Sequence, residues 1–371
     1  MTVRVPLPPL GGGDASYDIL IERGLLSRLP SLLAEHCPAA TYVVISDSHV
    51  GPRYGERVVA GLQHVGRAAA LHTFPAGERN KTRETWSALS DRLLDAHVGR
   101  DGALIALGGG VVGDVAGFVA ATYLRGIPYV QVPTSLLAMI DSAIGGKTGV
   151  DVPQGKNLLG AFHQPRLVVA DLDTLTTLPQ PQLVSGMAEA VKHGVVADAE
   201  YFAMLEQDGQ AALAREPATL QRIVARSVAI KSDVVAADER EGGRRAILNF
   251  GHTIGHAIEA TREYGLLHGE AVAIGMALES QLAERAGIAE AGMAARVGRL
   301  LSQLSLPLEL PDATAVDALL AAMRHDKKSR AGVLRLALPS RIGVMAGGAE
   351  GWTVPVAESL LRDVLTAGRL P

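Results

Sequence analysis

The chain has 371 residues, which is enough for two domains with packed cores. Hydrophobic residues make up 48% and charged residues 20%, a balance typical of a globular protein. The net charge of -4 argues against a protein whose main task is to coat nucleic acid. An anionic ligand must therefore be attracted by local lysines and arginines.

Cys37 is the one cysteine, so an internal disulfide and a cysteine-based zinc cage are excluded. The N-terminal stretch "MTVRVPLPPLGGG" has no apolar core of the signal-peptide type, and no apolar run is long enough to span a bilayer. We therefore expect a cytoplasmic protein that binds neither membrane nor nucleic acid.

The first half of the chain alternates strand-like and helix-like segments. A helical pattern covers 82–98, and short apolar or β-branched runs that end in turn residues predict strands at 41–47, 68–74, 102–110, 128–134 and 166–172. This alternation predicts an α/β domain with a mostly parallel, Rossmann-like sheet over 1–178.

The pattern changes after about Pro179. Long amphipathic segments follow near 180–197, 217–238, 246–263, 268–287 and 313–324, and a strand signal returns only at 332–340. The sequence thus predicts a mainly α-helical C-terminal domain over 179–371.

A glycine turn lies in "ALIALGGGVVGDVAGFVAA", between a predicted strand and a predicted helix. Gly108, Gly110 and Gly113 satisfy G-x-G-x-x-G, a spacing that lets the backbone approach a pyrophosphate at a helix N-terminus. The acidic residue expected about 20 residues further on is missing, which argues against an orthodox dinucleotide fold. Asp114, in the first helical turn, is placed to cap the helix or reach a ribose. A tight turn without a ligand is the alternative.

A polar cluster follows in "MIDSAIGGKTGVDVPQGKNLLGAF", residues 139–162. It places Asp141, Lys147, Thr148, Lys156 and Asn157 among glycines. Flexible backbone and positive charge suit a phosphate, although the P-loop spacing is absent. A solvated turn is the alternative.

Three stretches carry candidate metal ligands. They are "GMAEAVKHG" with Glu189, Lys192 and His193, "NFGHTIGHAIEA" with His252, His256 and Glu259, and "LHGEAVAIG" with His268 and Glu270. Because Thr253 follows His252, the H-E-x-x-H motif of a metalloprotease is absent. The spacing alone allows His252 and His256 to share one zinc ion, or to take different roles.

Together these stretches closely resemble one family, the 3-dehydroquinate synthases among the sugar-phosphate cyclases. The matching segments run in order from about residue 77 to 276, and "HDKK" follows at 325–328: "GERNKT", "GGGVVGDVAGFVAATYLRGI", "VPTSLLAMIDSAIGGKTGVD", "GKNLLGAFHQP", "GMAEAVKHG", "ADEREGGRRAILNFGHTIGHAIE" and "LHGEAVAIGM". The resemblance implies an NAD-binding N-terminal domain, a metal-carrying helical C-terminal domain, and an active site in the cleft between them.

The resemblance also implies the metal ligands, which are Glu189, His252 and His268 for Zn²⁺ or Co²⁺. On this reading His252 binds the metal, whereas His256 faces the substrate. Three protein ligands leave coordination open for substrate hydroxyls, as catalytic zinc requires.

The NAD contacts implied by the resemblance are Ala76, Gly77, Glu78, Arg79, Asn80, Lys81, Gly110, Val111, Val112, Gly113, Asp114, Thr134, Ser135, Lys147, Lys156, Thr174, Leu175, Thr176 and Thr177. The implied substrate contacts are Asp141, Lys147, Asn157, Lys192, Lys231, Arg245, Asn249, His256 and one lysine of the pair Lys327 and Lys328, with Lys328 preferred. Arg125 is expected to reach the phosphate site of a partner subunit in a homodimer.

The implied reaction converts 3-deoxy-arabino-heptulosonate 7-phosphate to 3-dehydroquinate and phosphate. It proceeds by transient NAD-dependent oxidation, β-elimination of phosphate, reduction, ring opening and intramolecular aldol closure. We expect His256, Lys192 and Asn249 to relay protons and orient hydroxyls.

The acidic substrate needs a cationic clamp, and Lys231 with Arg245 provides the charges. Arg245 lies four residues before Asn249, so both would line one helix face; solvated helix charges are the alternative. The competing functions are a related sugar-phosphate cyclase or amino-dehydroquinate synthase, and a zinc-dependent polyol dehydrogenase. A non-catalytic NAD- or sugar-phosphate-binding protein is disfavoured, because no predicted metal ligand is missing.

Overall fold

The computed structural model describes residues 1–7, 15–261, 265–311, 314–325, 334–348 and 351–368. It contains two compact units: Met1–Leu178 with Lys231–Ala236, and Pro179–Ile230 with Ala237–Pro371. Sequence analysis placed Lys231–Ala236 in the second domain, whereas this segment groups with the first unit.

A seven-stranded sheet forms the centre of the first unit, in the order β1-β2-β9-β6-β5-β3-β4. All neighbouring pairs are parallel except β1 and β2, so the predicted mostly parallel sheet is confirmed. The strands of this sheet are β1 (Thr2–Val5), β2 (Tyr17–Glu22), β3 (Thr41–Asp47), β4 (Ala68–Phe74), β5 (Ala103–Gly108), β6 (Tyr129–Pro133) and β9 (Leu167–Asp171), and a separate two-stranded sheet is formed by β7 (Lys147–Val152) and β8 (Gly155–Phe162).

Helices cover both faces of this sheet: α1 (Leu25–His36), α2 (Glu56–His64), α3 (Arg83–Asp95) and α4 (Gly110–Thr122). On β3, Val44 packs into the core cluster that includes α1 and α2, whereas Val43 and Ile45 pack into the cluster that includes α3 and α4. Successive strand residues point to opposite faces, so a strand covered on both sides is apolar at every position. This accounts for the continuous apolar runs.

The polar stretch 139–162, interpreted above as a glycine-rich cluster or a solvated turn, contains an antiparallel hairpin of β7 and β8. Thr148, Lys156 and Asn157 therefore lie on strands. The glycines obscured the strand pattern, but they allow close pairing: a Cβ at Gly160 would lie 2.2 Å from the Thr148 carbonyl oxygen.

The second unit is mainly helical, as predicted. Its elements are α5 (Gln180–Ala197), α6 (Ala199–Leu213), α7 (Pro217–Ala237, of which 231–236 group with the first unit), α8 (His252–Thr261), α9 (His268–Arg285), α10 (Met293–Gln303), α11 (Val316–His325), β10 (Arg335–Leu336), β11 (Pro339–Arg341), β12 (Val344–Met345), β13 (Val354–Pro355) and α12 (Glu358–Ala367). The strand predicted at 332–340 corresponds in part to β10 and β11.

The helix predicted over 246–263 is wrong in its first part. Residues Arg244–Asn249 form a 3₁₀ helix, and α8 begins only at His252. Gly251 separates the two with a φ of +79°, a left-handed conformation that suits glycine. His252 and His256 therefore lie on a short helix whose first residue is His252.

Within the described residues, no helix combines the length and hydrophobicity needed to cross a bilayer.

Candidate active site

In the first unit, the predicted NAD contacts follow the carboxyl ends of parallel strands. Ala76–Lys81 follow β4, Gly110–Asp114 follow β5, Thr134 and Ser135 follow β6, and Thr174–Thr177 follow β9. Carboxyl ends of parallel strands meet at one edge of a sheet, where α/β proteins bind their ligands. β4 lies on one side of β3, whereas β5, the next strand in the chain, lies on the other side. The order of strands across the sheet therefore switches between β3 and β5, and the glycine turn follows β5 at this switch point.

The glycine turn joins β5 to α4 with little space for side chains. Gly109 precedes α4 and provides no side-chain cap, so the first N–H groups of the helix are available to an anion. A Cβ at Gly110 would lie 2.9 Å from Ser142 Oγ, and one at Gly113 would lie 2.8 Å from Gln131 Oε1. These two glycines are therefore needed for close packing inside the protein, and it is the uncapped start of α4 that suits a diphosphate.

Lys81 joins three of the predicted stretches. Its ammonium lies 2.5 Å from Asp114 Oδ2 and 2.6 Å from Asn157 Oδ1, and only 4% of the residue is exposed. Burial alone would lower the pKa of Lys81, but the carboxylates of Asp114, Glu78 and Asp151 raise it above its ordinary value. Lys81 therefore stays charged and holds the helix α4 stretch to the hairpin.

Other predicted NAD contacts are partly used by the fold itself. Val112 and Leu175 are fully buried, so only their backbone groups can reach a ligand. Thr174 donates to the Asp171 carbonyl oxygen and Thr177 Oγ1 lies 2.6 Å from the Tyr54 hydroxyl. Lys147 is exposed, and the ammonium of Lys156 lies 3.5 Å from Glu78.

Asp141 and Lys231, both predicted to contact substrate, form an ion pair in the first unit. The Lys231 ammonium lies 2.6 Å from Asp141 Oδ1 and 2.6 Å from its carbonyl oxygen, and Lys231 is buried. Lys231 is therefore not a solvated helix charge, which was the alternative considered above.

Arg125 lies on a strained turn after α4. Leu124, Arg125 and Gly126 have consecutive φ values of +49°, +68° and +117°, and Arg125 is exposed. Left-handed leucine and arginine are uncommon and unfavourable, so the fold maintains this turn at a cost. The turn presents the guanidinium at the surface.

In the second unit, α5 buries an unusual set of titratable groups. Glu189, Lys192 and His193 lie at most 1% exposed on a helix whose neighbouring residues are also buried. Glu189 forms an ion pair with Lys192 one turn away. Because buried charges are unfavourable unless they are paired or bind a metal, such a cluster marks a functional site.

Two histidines from other helices approach the same carboxylate. His252 Nε2 and His268 Nε2 each lie 3.4 Å from Glu189 Oε1. Neighbouring ligands around a tetrahedral zinc ion with bonds of about 2.05 Å are about 3.3 Å apart. One carboxylate and two imidazoles are a common donor set for catalytic zinc, so these residues fit the predicted metal.

The second ring nitrogens are held by hydrogen-bond partners. His268 Nδ1 lies 3.3 Å from the buried carboxylate of Glu259, and His252 Nδ1 lies 3.1 Å from the Phe250 carbonyl oxygen. Such partners select the tautomer that presents Nε2 to a metal. Although burial would lower the pKa of His268, the hydrogen bonds that its ring donates to the carboxylates of Glu189 and Glu259 raise it to about 10, so the site favours bound positive charge.

His252 and His256 do not belong to one donor set among the described residues. His256 groups instead with Glu259 and His268, whereas His252 groups with Glu189 and His268. The rings of His252 and His256 are perpendicular, with centroids 5.2 Å apart. The geometry therefore favours separate roles for the two histidines.

Arg245 and Asn249 lie on the 3₁₀ helix before α8. In a helix with three residues per turn, positions four apart do not share a face, so the argument that they line one helix face was wrong. Both are instead held by the preceding loop. The guanidinium of buried Arg245 donates to the Glu239 carbonyl oxygen, and Asn249 Nδ2 donates to Glu241 Oε1 at 2.9 Å.

Asp238 organises this loop by accepting the N–H groups of Gly242, Gly243 and Arg245 at 2.8–2.9 Å. Burial raises the pKa of Asp238, but these backbone donors outweigh it and lower the pKa. The predicted lysine pair Lys327 and Lys328 lies outside the described residues.

Sequence reasoning missed two residues at these sites, Ser48 and Glu241, and did not foresee the role of a third, Glu259. Ser48 follows β3 at the carboxyl edge and accepts the Ala76 N–H at 3.1 Å, and its place after a buried strand was a usable signal. Glu241 has a left-handed φ of +59°, which no sequence pattern reveals. Glu259 was noted as a candidate ligand, but its contact with His268 depends on packing.

The first unit is a mostly parallel sheet with a glycine turn of the kind that binds phosphate groups. The second unit carries a buried set of one glutamate and two histidines that suits a metal ion. Together these features define the class of metal-dependent α/β enzymes. The family described as 3-dehydroquinate synthase N-terminal matches residues 71–185, and 3-dehydroquinate synthase C-terminal matches 186–329. The chain belongs to the 3-dehydroquinate synthase family.

Individual relatives agree with this assignment. The chain is 50% identical over 333 residues to 3-dehydroquinate synthase of Symbiobacterium thermophilum, covering 89% of this chain and 93% of the relative. Among solved structures, 2-deoxy-scyllo-inosose synthase with carbaglucose-6-phosphate, NAD⁺ and Co²⁺ superposes with a TM-score of 0.90 at 28% identity, covering 99% and 100% of the two chains. The 2-epi-5-epi-valiolone synthase ValA of Streptomyces hygroscopicus, with NAD⁺ and Zn²⁺, gives 0.87 at 31% identity over 97% and 98%.

Proposed function

We propose that the chain converts 3-deoxy-arabino-heptulosonate 7-phosphate to 3-dehydroquinate and phosphate, using NAD and Zn²⁺ or Co²⁺. The observation that carries this proposal is the buried set of Glu189, His252 and His268 in a chain of the 3-dehydroquinate synthase family. The metals and NAD⁺ bound by the two solved synthases support the choice of cofactors.

When bound, the metal polarises a substrate hydroxyl and NAD accepts and later returns the hydride. Glu189, His252 and His268 would hold the metal through one oxygen and two Nε2 atoms. Three ligands leave coordination positions for substrate oxygens. Because the cofactor is regenerated in each turnover, NAD is needed only in catalytic amounts.

The chain's own residues provide charge and proton transfer. Lys192, paired with Glu189 and at most 2% exposed in its side chain, carries an ammonium beside the metal position, where it can orient a substrate hydroxyl. His256 presents an imidazole one turn beyond His252 on α8, and a half-buried imidazole can accept and donate a proton near neutral pH. The substrate's own phosphate can serve as the base in the elimination.

Lys231 and Arg245 stay our proposed carboxylate contacts. Arg245 is 2% exposed and its side chain is oriented by the Glu239 carbonyl oxygen, so its guanidinium is ordered before substrate binds. A pre-ordered guanidinium loses little entropy when it binds a carboxylate in a bidentate fork. Arg245 therefore favours the heptulosonate over a sugar phosphate that has no carboxylate.

We also propose a cytoplasmic homodimer in which Arg125 serves the partner subunit's phosphate site. The exposed, strained turn at Leu124–Gly126 supports this role, because strain is retained where a side chain must be presented in one direction. Size-exclusion chromatography with light scattering tests the dimer. A mixed dimer of one Arg125→Ala subunit and one metal-site variant subunit tests the shared site. Recovery of activity in this mixed dimer would support a role of Arg125 in the partner subunit's site.

The deciding experiment measures phosphate release from 3-deoxy-arabino-heptulosonate 7-phosphate with catalytic NAD and added Zn²⁺ or Co²⁺. Parallel reactions contain EDTA, or sedoheptulose 7-phosphate as substrate. We expect many turnovers per NAD with the heptulosonate. EDTA should abolish this turnover, and sedoheptulose 7-phosphate, which has no carboxylate, should give none. Turnover only on sedoheptulose 7-phosphate would indicate another sugar-phosphate cyclase, and an aminated substrate turned over faster would indicate an amino-dehydroquinate synthase. Steady NADH accumulation without phosphate release would indicate a polyol dehydrogenase.

A further inference from the structure

Helix α8 begins with a predicted metal ligand, yet its own residues cannot cap it. The first four N–H groups of a helix need acceptors from outside the helical ladder, usually a Ser, Thr, Asp or Asn side chain at the preceding residue. Here the preceding residue is Gly251, which has no side chain. The third helical residue, where a glutamate often reaches back, is Ile254.

A side chain at Gly251 is excluded by its surroundings. Its φ is +79°, and a Cβ would lie 2.9 Å from the Val272 carbonyl oxygen and 2.5 Å from Met276 Cγ. On the facing helix, a Cβ at Gly275 would lie 1.9 Å from the Gly251 carbonyl oxygen. Helix α9 therefore packs against the start of α8 so closely that a local cap has no room.

Glu279 of α9 supplies the missing acceptor from the neighbouring helix. Its Oε2 accepts the Gly251 N–H at 2.7 Å, and its Oε1 accepts the Ile254 N–H at 3.1 Å. The residue is 0% exposed, and a carboxylate at a helix N-terminus also interacts favourably with the helix dipole. One buried carboxylate thus fixes the backbone on both sides of His252.

The other histidine ligand is positioned differently. Helix α9 begins at His268 and is capped within its own sequence, because Glu270 Oε2 accepts the Leu267 N–H at 2.8 Å. The Gly269 N–H donates to Ser185 Oγ on α5 at 3.0 Å. Both histidine ligands are therefore the first residue of a capped helix, but the start of α9 has a local acidic cap in Glu270, whereas the acidic cap of α8 comes from another helix.

We propose that Glu279 is a positioning residue for the metal site, which it serves by holding the start of α8 so that His252 Nε2 faces Glu189. This inference rests on the metal site of the proposed function. Glu279 touches neither substrate nor cofactor in this role. It acts through His252 and does not bind the metal itself.

The chain contains a matched control for a purely structural cap. Helix α1 is also preceded by a left-handed glycine, Gly24 with a φ of +75°, and is also capped from another element. Asp171 accepts the Gly24 N–H at 2.9 Å and the Leu26 N–H at 2.8 Å. Asp171→Asn removes the same type of charge from a helix that carries no predicted metal ligand.

The test compares Glu279→Gln with Asp171→Asn in apparent Zn²⁺ affinity, measured against a competing chelator, and in the visible spectrum of the Co²⁺-loaded protein. The glutamine keeps the size of the side chain but directs an NH₂ group at one of the two backbone donors. We expect a 10- to 100-fold loss of Zn²⁺ affinity and an altered Co²⁺ spectrum for Glu279→Gln alone. Glu279→Asp, which keeps the charge, should recover part of the loss.

Unchanged Zn²⁺ affinity and Co²⁺ spectrum in a folded Glu279→Gln protein would overturn the inference and leave Glu279 as a structural cap. If the parent protein binds no stoichiometric metal, the proposed function fails instead. A measurement on the unaltered chain covers the case of an unfolded variant. In the metal-free protein the Gly251 and Ile254 amides should resist hydrogen exchange; rapid exchange there would mean that the cap does not hold α8 before metal binds.

Discussion

Replacing His252 or His256 by alanine separates the two histidines by what they bind. Both lie on α8 one turn apart, but only His252 shares a donor set with Glu189. Both variants remove an imidazole from the same helix, and the loss of packing should be larger for buried His252 than for half-buried His256. Metal affinity should therefore distinguish them.

The size of the effect follows from the donor count. Structural zinc sites with four ligands bind with about 10–16 kcal/mol, so one donor is worth about 2.5–4 kcal/mol. At about 1.4 kcal/mol per factor of ten, His252→Ala should weaken metal binding by about 10²- to 10³-fold. His256→Ala should change it less than about threefold, because its ring lies beside the predicted donor set and not in it.

The assay titrates Zn²⁺ into metal-free protein against a chromophoric chelator and counts bound metal after dialysis. Activity is measured in parallel with saturating metal. We expect both variants to lose activity, but only His252→Ala to lose metal. A larger loss of metal in His256→Ala would refute the assignment and move the ion to the set of His256, Glu259 and His268.

Three further variants test other parts of the chain. Lys81→Met leaves the largely buried Asp114 carboxylate without its ammonium partner, so denaturant titration should show a free energy of unfolding about 2–4 kcal/mol lower, and NAD should bind more weakly. An unchanged denaturation midpoint would contradict a stabilising role for the Lys81–Asp114 ion pair. Gly275→Ala places a Cβ 1.9 Å from the Gly251 carbonyl oxygen at the start of α8, so both the thermal unfolding midpoint and the amount of bound metal should fall. A stable variant with its full complement of metal would show that α8 and α9 can move apart at no cost. Arg245→Ala should raise KM for the heptulosonate at least tenfold and leave NAD affinity unchanged. Arg244→Ala, at an exposed neighbouring arginine, serves as the control and should keep a KM near that of the parent. An equal loss of NAD affinity in Arg245→Ala would exclude the carboxylate role.

The elements predicted well are those whose pattern is local. β3 at Thr41–Asp47, β4 at Ala68–Phe74 and α5 at Gln180–Ala197 match their predicted bounds. Each is a continuous apolar or amphipathic run between turn residues, so nearby sequence is sufficient to define it. The order of glycine turn, polar cluster and histidine stretches was also enough to identify the family.

The elements predicted poorly depend on contacts beyond the local sequence. The β7–β8 hairpin is rich in glycine and polar residues, so its strands are defined by pairing with each other and not by an apolar pattern. The start of α8 was placed too early because the run 246–263 is amphipathic throughout. The close approach of α9 to Gly251 breaks that run.

The sequence by itself determined the fold class, the family and the chemical types of the candidate ligands, because these follow from composition, period and short motifs. Tertiary structure alone decided which of those side chains meet. Glu189, His252 and His268 come from three helices, and Glu279 caps a helix that lies before it in the chain. Such contacts arise from buried helix packing, where glycine allows backbones to touch and every buried carboxylate must find a donor. No local pattern records them.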